Sequence, residues 1–328
     1  MRAMILAAGY GTRLWPLTID RTKPAIPFMG RPLIGYVAEY LAGYGFDDIV
    51  VNLHHQPDSV RAALGDGSRF GVRFRYVEEP VILGTSGAIS NARALLDGDH
   101  FVVINGKLAT DIDLGEALAT HRRTGALATL VLRPNPARER YSEVYVSGGL
   151  VTGFGGHPAP ESDKAGGGDA PLMFTGIQIL DPRVFEYIPP GVFSHSVTDV
   201  YVPAIARGDR IAAHVARGSW YELSTVRRYL DTSVTLLKRE GRDLELGEGS
   251  VVGEGASVSE SVLWEGVHVA PGARVTRSVL GAGVRVGAGE VFDNVAVVRA
   301  ELARASERPE KGLPGEFRGS NFVAPIPE

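Results

Sequence analysis

Cysteine is absent from the 328 residues of this chain. Its absence excludes a disulfide framework, a thiolate metal site and a cysteine nucleophile. The chain also has no large excess of positive or negative charge, because its 34 basic and 38 acidic residues give a formal net charge of -4. No block of basic residues stands out, so the sequence gives no reason to expect nucleic acid or an anionic membrane surface as a partner.

Long hydrophobic runs are absent as well. The first apolar run, Met4–Ala8, is too short for the apolar core of a signal peptide. No stretch approaches the roughly 20 apolar residues that a membrane-spanning helix needs. The chain is otherwise 44% apolar and 22% charged, as in ordinary globular proteins. We therefore expect a soluble, cytoplasmic protein.

The first half of the chain alternates short apolar runs with amphipathic runs of helical length, a pattern typical of an α/β fold with a mainly parallel, Rossmann-like sheet. The predicted strands are Met4–Ala8, Ile49–Leu53, Val72–Val77, Phe101–Ile104 and Ala126–Leu132. The predicted helices are Leu33–Tyr44, Ser59–Leu64, Ser86–Leu96 and Leu114–Thr124.

The middle of the chain predicts additional strands and an irregular segment. A hairpin is expected from Glu143–Val146 and Leu150–Phe154, around a Gly-Gly turn. Residues 155–170 are rich in glycine, proline and charge, and predict a loop. Further elements are predicted at Met173–Leu180, Val197–Ala206, Ile211–Ala216 and Val226–Glu240. We take residues 1–240 as one domain.

From Glu245 onward, aliphatic residues recur about every six positions and glycine-containing turns lie between them. This hexapeptide spacing is the signature of a parallel β-helix, in which each coil buries one aliphatic side chain per face. Residues 245–298 have room for roughly three coils. The polar segment 299–328 is expected to be an extended tail.

A glycine-rich turn follows the first predicted strand. Gly9 and Gly11 let the backbone approach a phosphate and point N–H groups at it. Thr12 adds a hydroxyl donor, and the guanidinium of Arg13 suits phosphate oxygens. Lys23, at the end of the polar loop that follows, adds a second cation. Together these residues suit a nucleoside triphosphate, whose negative charge must be neutralised.

Two other glycine-rich motifs do not match. A Rossmann fingerprint requires a third glycine where Leu14 stands. A P-loop requires Gly-Lys followed by serine or threonine, and in this chain Leu108 follows Gly106 and Lys107.

The run LAAGYGTRLWPLTIDRTKPAIPFMGRPLI, residues 6–34, resembles the N-terminal motif of nucleoside-diphosphate-sugar pyrophosphorylases, which are sugar-1-phosphate nucleotidyltransferases. The resemblance covers almost the whole chain, β-helix included, and is closest to the mannose-1-phosphate guanylyltransferases. It implies a left-handed parallel β-helix and the synthesis of a nucleoside-diphosphate sugar and pyrophosphate from a nucleoside triphosphate and a sugar 1-phosphate. The implied product is GDP-mannose, from GTP and mannose 1-phosphate.

The resemblance also implies roles for individual residues. The positions of Arg13 and Lys23 are catalytic in the family, where they hold the phosphates. The implied nucleotide-binding positions are Ala8, Gly9, Gly11, Thr12, Gly84, Thr85 and Gly87. The implied sugar-binding positions are Asn105, Gly106, Thr175 and Gly176.

The family's magnesium site is altered in this chain. Lys107 stands where the family has a metal-binding aspartate, and an ammonium group has no lone pair for a metal. Glu222 stands at the second metal position, and Asp111 or Asp113 is a candidate for a displaced ligand. Asp111 and Asp113 have an alternative role at the N-terminus of the following helix. A Glu-Lys-Pro run that commonly touches the sugar phosphate is replaced by Gly155-Gly156-His157-Pro158, and Ser142 replaces a family glycine.

Two interpretations follow from these changes. In the first, the chain is a Mg²⁺-dependent enzyme in which Lys107 supplies part of the metal's charge. In the second, it is a non-catalytic regulatory subunit that binds a sugar nucleotide and works with a catalytic partner subunit. Glucose-1-phosphate thymidylyl- and uridylyltransferases share nearly all the motifs, so base and sugar are weakly determined. An acyltransferase role for the β-helix lacks a convincing histidine, since His268 is the one candidate. We expect the β-helix to mediate homo-oligomer contacts.

Overall fold

The computed structural model describes residues 1–139, 141, 143–156 and 170–327. The chain divides into two units by its internal contacts. The first unit comprises Met1–Ala8, Val37–Pro57 and Gly65–Trp220. The second unit comprises Gly9–Tyr36, Asp58–Leu64 and Tyr221–Glu328. The glycine-rich turn therefore groups with the C-terminal part of the chain rather than with the strand that precedes it.

The α-helices of the described residues are α1 (Leu33–Gly43), α2 (Pro57–Leu64), α3 (Gly84–Asn91), α4 (Arg93–Leu96), α5 (Leu114–Thr124), α6 (Val202–Ala206), α7 (Val226–Arg239) and α8 (Ala300–Arg304). A π-helical turn, Ser196–Tyr201, leads directly into α6. The predicted helix over Ser86–Leu96 is divided into α3 and α4 at Ala92, whose ψ of 4° lies outside the α-helical range.

The strands are β1 (Arg2–Leu6), β2 (Pro27–Phe28), β3 (Arg31–Pro32), β4 (Asp48–Leu53), β5 (Arg73–Glu78), β6 (Phe101–Asn105), β7 (Leu108–Thr110), β8 (Ala128–Pro134), β9 (Glu143–Ser147), β10 (Leu150–Phe154), β11 (Leu172–Leu180), β12 (Ile211–Val215), β13 (Trp220–Glu222), β14 (Leu244–Leu246), β15 (Val251–Val252), β16 (Ser257–Ser259), β17 (Ser261–Leu263), β18 (His268–Val269), β19 (Arg274–Thr276), β20 (Val279–Leu280), β21 (Arg285–Val286), β22 (Val291–Asp293), β23 (Val295–Arg299), β24 (Glu316–Arg318) and β25 (Asn321–Pro325).

One mixed sheet organises the first unit, with strands in the order β5-β4-β1-β6-β11-β8-β12-β10-β9. The first four are parallel, as the alternation of apolar and amphipathic runs predicts. Strand β11 then runs antiparallel to both β6 and β8, and β9 and β10 form the predicted hairpin. Because parallel strands present their carboxyl ends at one edge, the segments after β1, β4 and β6 begin at the same edge of the sheet.

The core of the first unit is apolar on both faces of this sheet, which is why its central strands are uninterrupted apolar runs. Met4, Val50 and Val103 belong to a cluster that continues through Phe101 to Phe185, and all are buried. Burial of this kind contributes roughly 1.5–3 kcal/mol for each large aliphatic or aromatic side chain. It makes the sheet a rigid support for the loops at its edge.

The second unit contains short parallel strands stacked into three sheets. Their orders are β14-β17-β20-β23, β15-β18-β21 and β16-β19-β22. Equivalent positions are 17 residues apart, as the hydrogen bonds from Ser278 N to Ser261 Oγ and from Val295 N to Ser278 Oγ show. Inward valines and Phe292 form a buried cluster between the sheets. Three parallel sheets of this kind fit a three-faced coil, and residues 244–299 are called the strand repeat below.

The C-terminal segment adds secondary structure to the end of the strand repeat. Strand β25 pairs antiparallel with β23, and β24 pairs with β25. The segment expected to be extended thus contains two strands as well as the short helix α8. The antiparallel pairing covers the hydrogen-bonding edge that the last parallel strand would otherwise expose.

Candidate active site

The glycine-rich turn has the backbone geometry that its sequence predicts at Gly11. Gly11 lies in the left-handed region with a φ of +67°, and a Cβ there would stand 3.3 Å from the Cβ of Lys23. A side chain at Gly11 would therefore be strained and would crowd Lys23. Thr18 stabilises the turn, because its hydroxyl donates a hydrogen bond to the Gly11 carbonyl at 3.3 Å. Gly11 and Lys23 thus form a close pair.

The two predicted catalytic cations differ in solvent exposure. Arg13 lies in a 3₁₀ turn, Thr12–Leu14, and is exposed. Lys23 begins a second 3₁₀ turn, Lys23–Ala25, and is 9% exposed. An exposed guanidinium is suited to a ligand that arrives from solvent, whereas a buried lysine stem holds its charge at one position.

A buried hydrogen-bond network in the first unit supports two of the predicted nucleotide-binding segments. Asn52 accepts from Ala7 N at 2.8 Å and donates to Glu79 Oε1 at 2.6 Å. The second carboxylate oxygen of Glu79 accepts from Leu83 N at 2.9 Å. The segment that ends at Ala8 and the one that begins at Gly84 are therefore held through a single network. The sequence did not predict this network, because contacts between side chains of distant segments leave no local signal.

Gly84 and Gly87 pack directly against the 191–195 segment. A Cβ at Gly84 would lie 2.4 Å from the carbonyl oxygen of Ser194, and a Cβ at Gly87 would lie 2.5 Å from that of Val192. The Ser194 carbonyl also accepts from the backbone N–H groups of Ser86 and Gly87. Glycine is required at these two positions for close packing within the protein.

A cavity of about 330 Å³ opens in the first unit. Asn105 and Gly176, both predicted to bind the sugar, lie in its wall, and so does Thr85. The other lining residues were not predicted as site residues: Leu6, Phe154, Gly155, Phe174, Gln178, His195, Ser196, Val197 and Thr198. They come from four distant segments that no local motif links. A volume near 300 Å³ is at the lower end of the range for small-molecule sites.

Hydrogen bonds fix several side chains of the cavity wall. Thr85 Oγ1 accepts from Ser196 N at 2.8 Å. Gln178 accepts from the hydroxyl of Tyr201, which is completely buried. Burial raises the pKa of Tyr201, so this hydroxyl stays protonated as a donor. This hydrogen bond fixes the orientation of the Gln178 amide in the cavity wall.

Two predicted sugar-binding residues, Thr175 and Gly106, are not among the residues that line the cavity. Thr175 is buried, and its hydroxyl donates to the Val131 carbonyl at 2.7 Å. Its own carbonyl accepts from the indole N–H of Trp220 at 3.0 Å. Gly106 donates its N–H to the Leu6 carbonyl and is buried at the turn after β6.

The acidic residues near Lys107 have structural hydrogen bonds. Lys107 itself lies in the turn between β6 and β7. Asp111 Oδ1 accepts from Ser219 N at 2.6 Å, and Asp113 caps α5 by accepting from Gly115 N at 2.8 Å. The capping role is the alternative that the position of Asp113 before α5 predicts.

Glu222, in the second unit, is 3.5 Å from the guanidinium of Arg228, and its side chain is 9% exposed. Among the described residues, no group of three or more histidine and acidic side chains is placed to hold a metal ion. The assignment of Asp111 and Glu222 as magnesium ligands therefore stays a prediction.

A model of the nucleotidyl transferase family matches residues 2–239. The chain is 31% identical to a UTP–glucose-1-phosphate uridylyltransferase of Synechocystis over 75% of this chain and 66% of that protein. It is 35% identical to an N-acetylmuramate α-1-phosphate uridylyltransferase of Neisseria meningitidis, over 70% of this chain and 95% of that protein. It is 29% identical to a mannose-1-phosphate guanylyltransferase of Mycobacterium tuberculosis, over 80% of this chain and 72% of that protein.

A solved structure of a putative glucose-1-phosphate thymidylyltransferase from Bacillus anthracis superposes with a TM-score of 0.60 at 24% identity. The match covers 76% of this chain and 98% of that one, and it supports the α/β fold. No helix of the described residues has the length and apolar content to cross a membrane. With a family model that covers most of its length and relatives of this kind, the chain belongs to the nucleotidyl transferase family, among the sugar-1-phosphate nucleotidyltransferases.

Proposed function

We propose that this protein makes GDP-mannose from GTP and mannose 1-phosphate, with release of pyrophosphate. The observation that carries the sugar assignment is the cavity lined by Asn105, Gly176 and Gln178. Its polar side chains are amides, hydroxyls and the imidazole of His195, beside two phenylalanine rings, a combination that suits the hydroxyls and the apolar face of a hexose. Guanylyltransferases acting on mannose 1-phosphate recur among the relatives, which favours this base and sugar.

In the proposed reaction, an oxygen of the sugar 1-phosphate attacks the α-phosphorus of the nucleotide in line. The bond from that phosphorus to the bridging oxygen breaks, and pyrophosphate leaves with the electron pair. Arg13 and Lys23 would stabilise the charge on the phosphates, and the N–H groups of the turn from Gly9 to Thr12 would add hydrogen bonds. Such a transfer needs positioning and charge stabilisation rather than a protein nucleophile.

We further propose that Mg²⁺ takes part as the partner of the nucleotide substrate and is not a cofactor that the protein holds. Asp111 Oδ1 accepts from Ser219 N, and Glu222 lies beside Arg228, so each carboxylate already has a partner within the protein. Lys107 would then contribute positive charge where the family resemblance implies a metal ligand.

The finer features of the architecture also belong to this proposal. We take residues 1–240 as the transferase domain, 245–298 as a left-handed β-helix of hexapeptide repeats, and 299–328 as the tail. The β-helix would support a homo-oligomer. Because nucleoside triphosphates and sugar phosphates are intracellular metabolites, we assign the protein to the cytoplasm.

The test is pyrophosphate release from GTP, UTP and dTTP, each paired with mannose 1-phosphate, glucose 1-phosphate and N-acetylmuramate 1-phosphate. Each pair is assayed with Mg²⁺ and with EDTA. Turnover confined to GTP and mannose 1-phosphate supports the proposal. Turnover confined to a UTP pair replaces it with the activity in the names of two relatives.

A regulatory subunit is the second candidate, and the lysine at position 107 together with the engaged acidic residues favours it. Absence of turnover with every pair, combined with calorimetric binding of GDP-mannose or UDP-glucose, would establish this candidate. A catalytic partner subunit would then be sought by its co-purification with the tagged chain.

A further inference from the structure

The segment that carries Lys23 is anchored on its N-terminal side by the strand repeat. The guanidinium of Arg21 donates to Glu265 Oε1 at 2.7 Å, and its central carbon lies 5.0 Å from the ring centroid of Trp264. Asp20 also accepts from Arg21, at 3.1 Å. An arginine held by a carboxylate and by an aromatic face at once keeps little freedom.

A second anchor lies on the C-terminal side of Lys23, in the tight turn between β2 and β3. Met29 N and Gly30 N donate to the two carboxylate oxygens of Glu245, at 3.0 and 2.6 Å. Both residues have positive φ, so the turn has an unusual backbone that external hydrogen bonds stabilise. Glu245 is 4% exposed, and each of its oxygens has a backbone partner.

A buried hydrogen-bond chain adds a third contact. The indole N–H of Trp264 donates to the hydroxyl of Tyr229 at 3.0 Å. That hydroxyl donates to the Pro27 carbonyl at 2.6 Å. Trp264 and Tyr229 are both fully buried, so the chain is protected from water and holds Pro27 in place.

We propose that the first coils of the strand repeat position Lys23, with Glu245 as the principal positioning residue. Lys23 lies between these anchored positions, two residues after Arg21 and four before Pro27, and all of them belong to the second unit. This inference rests on the proposed role of Lys23 at the phosphates. It gives the strand repeat a part in the reaction that is separate from subunit contacts.

The physical basis is the cost of placing a charge. A catalytic cation lowers a barrier only when its position is set before the reaction, because reorganising it would cost free energy in the transition state. A lysine on a segment without anchors would sample many positions, and a displacement of about 1 Å lowers rates by up to about 100-fold.

The experiment compares Glu245→Ala, Glu245→Gln and the matched surface variant Glu248→Ala. Glu248 is an exposed glutamate in the same coil. Steady-state pyrophosphate release is measured with the nucleotide and the sugar 1-phosphate varied separately. We expect Glu245→Ala to lower kcat/KM for the nucleotide by about 10- to 100-fold while KM for the sugar 1-phosphate stays unchanged. Glu245→Gln should be intermediate, since its single carbonyl oxygen can serve one of the two N–H donors.

Amide hydrogen exchange supplies a readout that does not depend on turnover. In both Glu245 variants, exchange should accelerate at Met29 and Gly30 and also at Ala25 and Ile26, whose N–H groups close the turn around Lys23. Exchange in strand β4 is the internal reference. If Glu245→Ala does not fold, the kinetic and the exchange measurements are both made on Glu245→Gln.

The outcomes separate this inference from the proposed function. Lack of turnover by the unaltered protein with all substrate pairs would refute the proposed reaction. An active protein whose Glu245 variants match Glu248→Ala in kcat/KM would overturn the positioning role. Exchange that accelerates at Met29 and Gly30 but not at Ala25 and Ile26 would overturn it as well, because the anchor would then be purely local.

Discussion

Gly176→Ala should destabilise the protein by more than the backbone strain at position 176 alone, because it also displaces a side chain of the cavity wall. Gly176 has a φ of +81°, and a Cβ there would stand 2.0 Å from Asn105 Nδ2 and 2.9 Å from Asn105 Cγ. Contacts this short cannot persist, so the Asn105 side chain must rotate out of the cavity wall. The pairing of β11 with β8 is irregular between Phe174 and Gln178, which shows that the backbone at Gly176 is already distorted.

The magnitude has two parts. An alanine in the left-handed region costs about 1–2 kcal/mol. Displacement of Asn105 and repacking of its neighbours adds about 1–3 kcal/mol, the usual cost of overpacking. We expect a loss of roughly 2–5 kcal/mol in the free energy of unfolding. A lost hydrogen bond from Asn105 to the sugar should raise KM for the sugar 1-phosphate about tenfold.

Gly149→Ala is the matched control. Gly149 has a nearly identical φ of +79° and also belongs to the first unit, but no atom lies within 4 Å of the added Cβ. Gly149→Ala should lower the free energy of unfolding by the backbone strain alone, about 1–2 kcal/mol, and should leave the kinetic constants unchanged. Urea unfolding gives the free energies, and pyrophosphate release gives KM. Equal destabilisation by the two variants, or an unchanged KM in Gly176→Ala, would refute the reasoning.

Three further predictions concern single side chains. Arg13→Ala should lower turnover by roughly 1,000-fold with an unchanged circular dichroism spectrum, because Arg13 is exposed and supports no core; turnover within tenfold of normal would exclude its role. Lys107→Ala should lower kcat by roughly 10- to 100-fold if its charge stabilises the phosphates, and an unchanged kcat would contradict that role. Burial beside His100 lowers the pKa of His121 from 6.5 to about 4. Below pH 6.5 His121 is therefore protonated in the unfolded chain but stays neutral in the folded chain down to about pH 4. The free energy of unfolding is thus unaffected by His121 above pH 6.5 and declines as the pH falls toward 4. Urea unfolding should show a loss of about 2 kcal/mol between pH 7 and pH 5 from this group, absent in His121→Gln; equal pH dependence in both proteins would contradict the assignment.

Much of the fold could be predicted from local sequence. Helix α5 has the predicted bounds, Leu114–Thr124, because Asp113 caps its first turn and Gly125 ends it in the left-handed conformation. The first strands and the hairpin of β9 and β10 lie within a few residues of their predictions, since apolar runs and a Gly-Gly turn are local signals. The division of α3 from α4 was missed, as no glycine or proline marks Ala92.

The candidate site was predicted in part. Asn105, Gly176 and Thr85 line one cavity, although the sequence assigned Thr85 to the nucleotide and the other two to the sugar. Their binding roles stay predictions. His195, Gln178 and Phe154 were missed because each lies in a segment that carries no motif of its own. Thr175 directly precedes Gly176, yet its hydroxyl donates a hydrogen bond to the backbone of β8. Of the four residues that replace the Glu-Lys-Pro run, His157 and Pro158 lie outside the described residues, as do Ser142 and most of the predicted loop over 155–170.

The sequence by itself determined the local features of this protein: the glycine-rich turn with its cations, the order of strands and helices, and the family. These follow from backbone preferences and from the spacing of apolar residues, which act over a few positions. Only the tertiary structure decided which groups meet across long separations, such as Glu245 with Gly30, which are 215 positions apart. A buried carboxylate and an exposed one look alike in a sequence, because burial depends on everything that packs around the side chain.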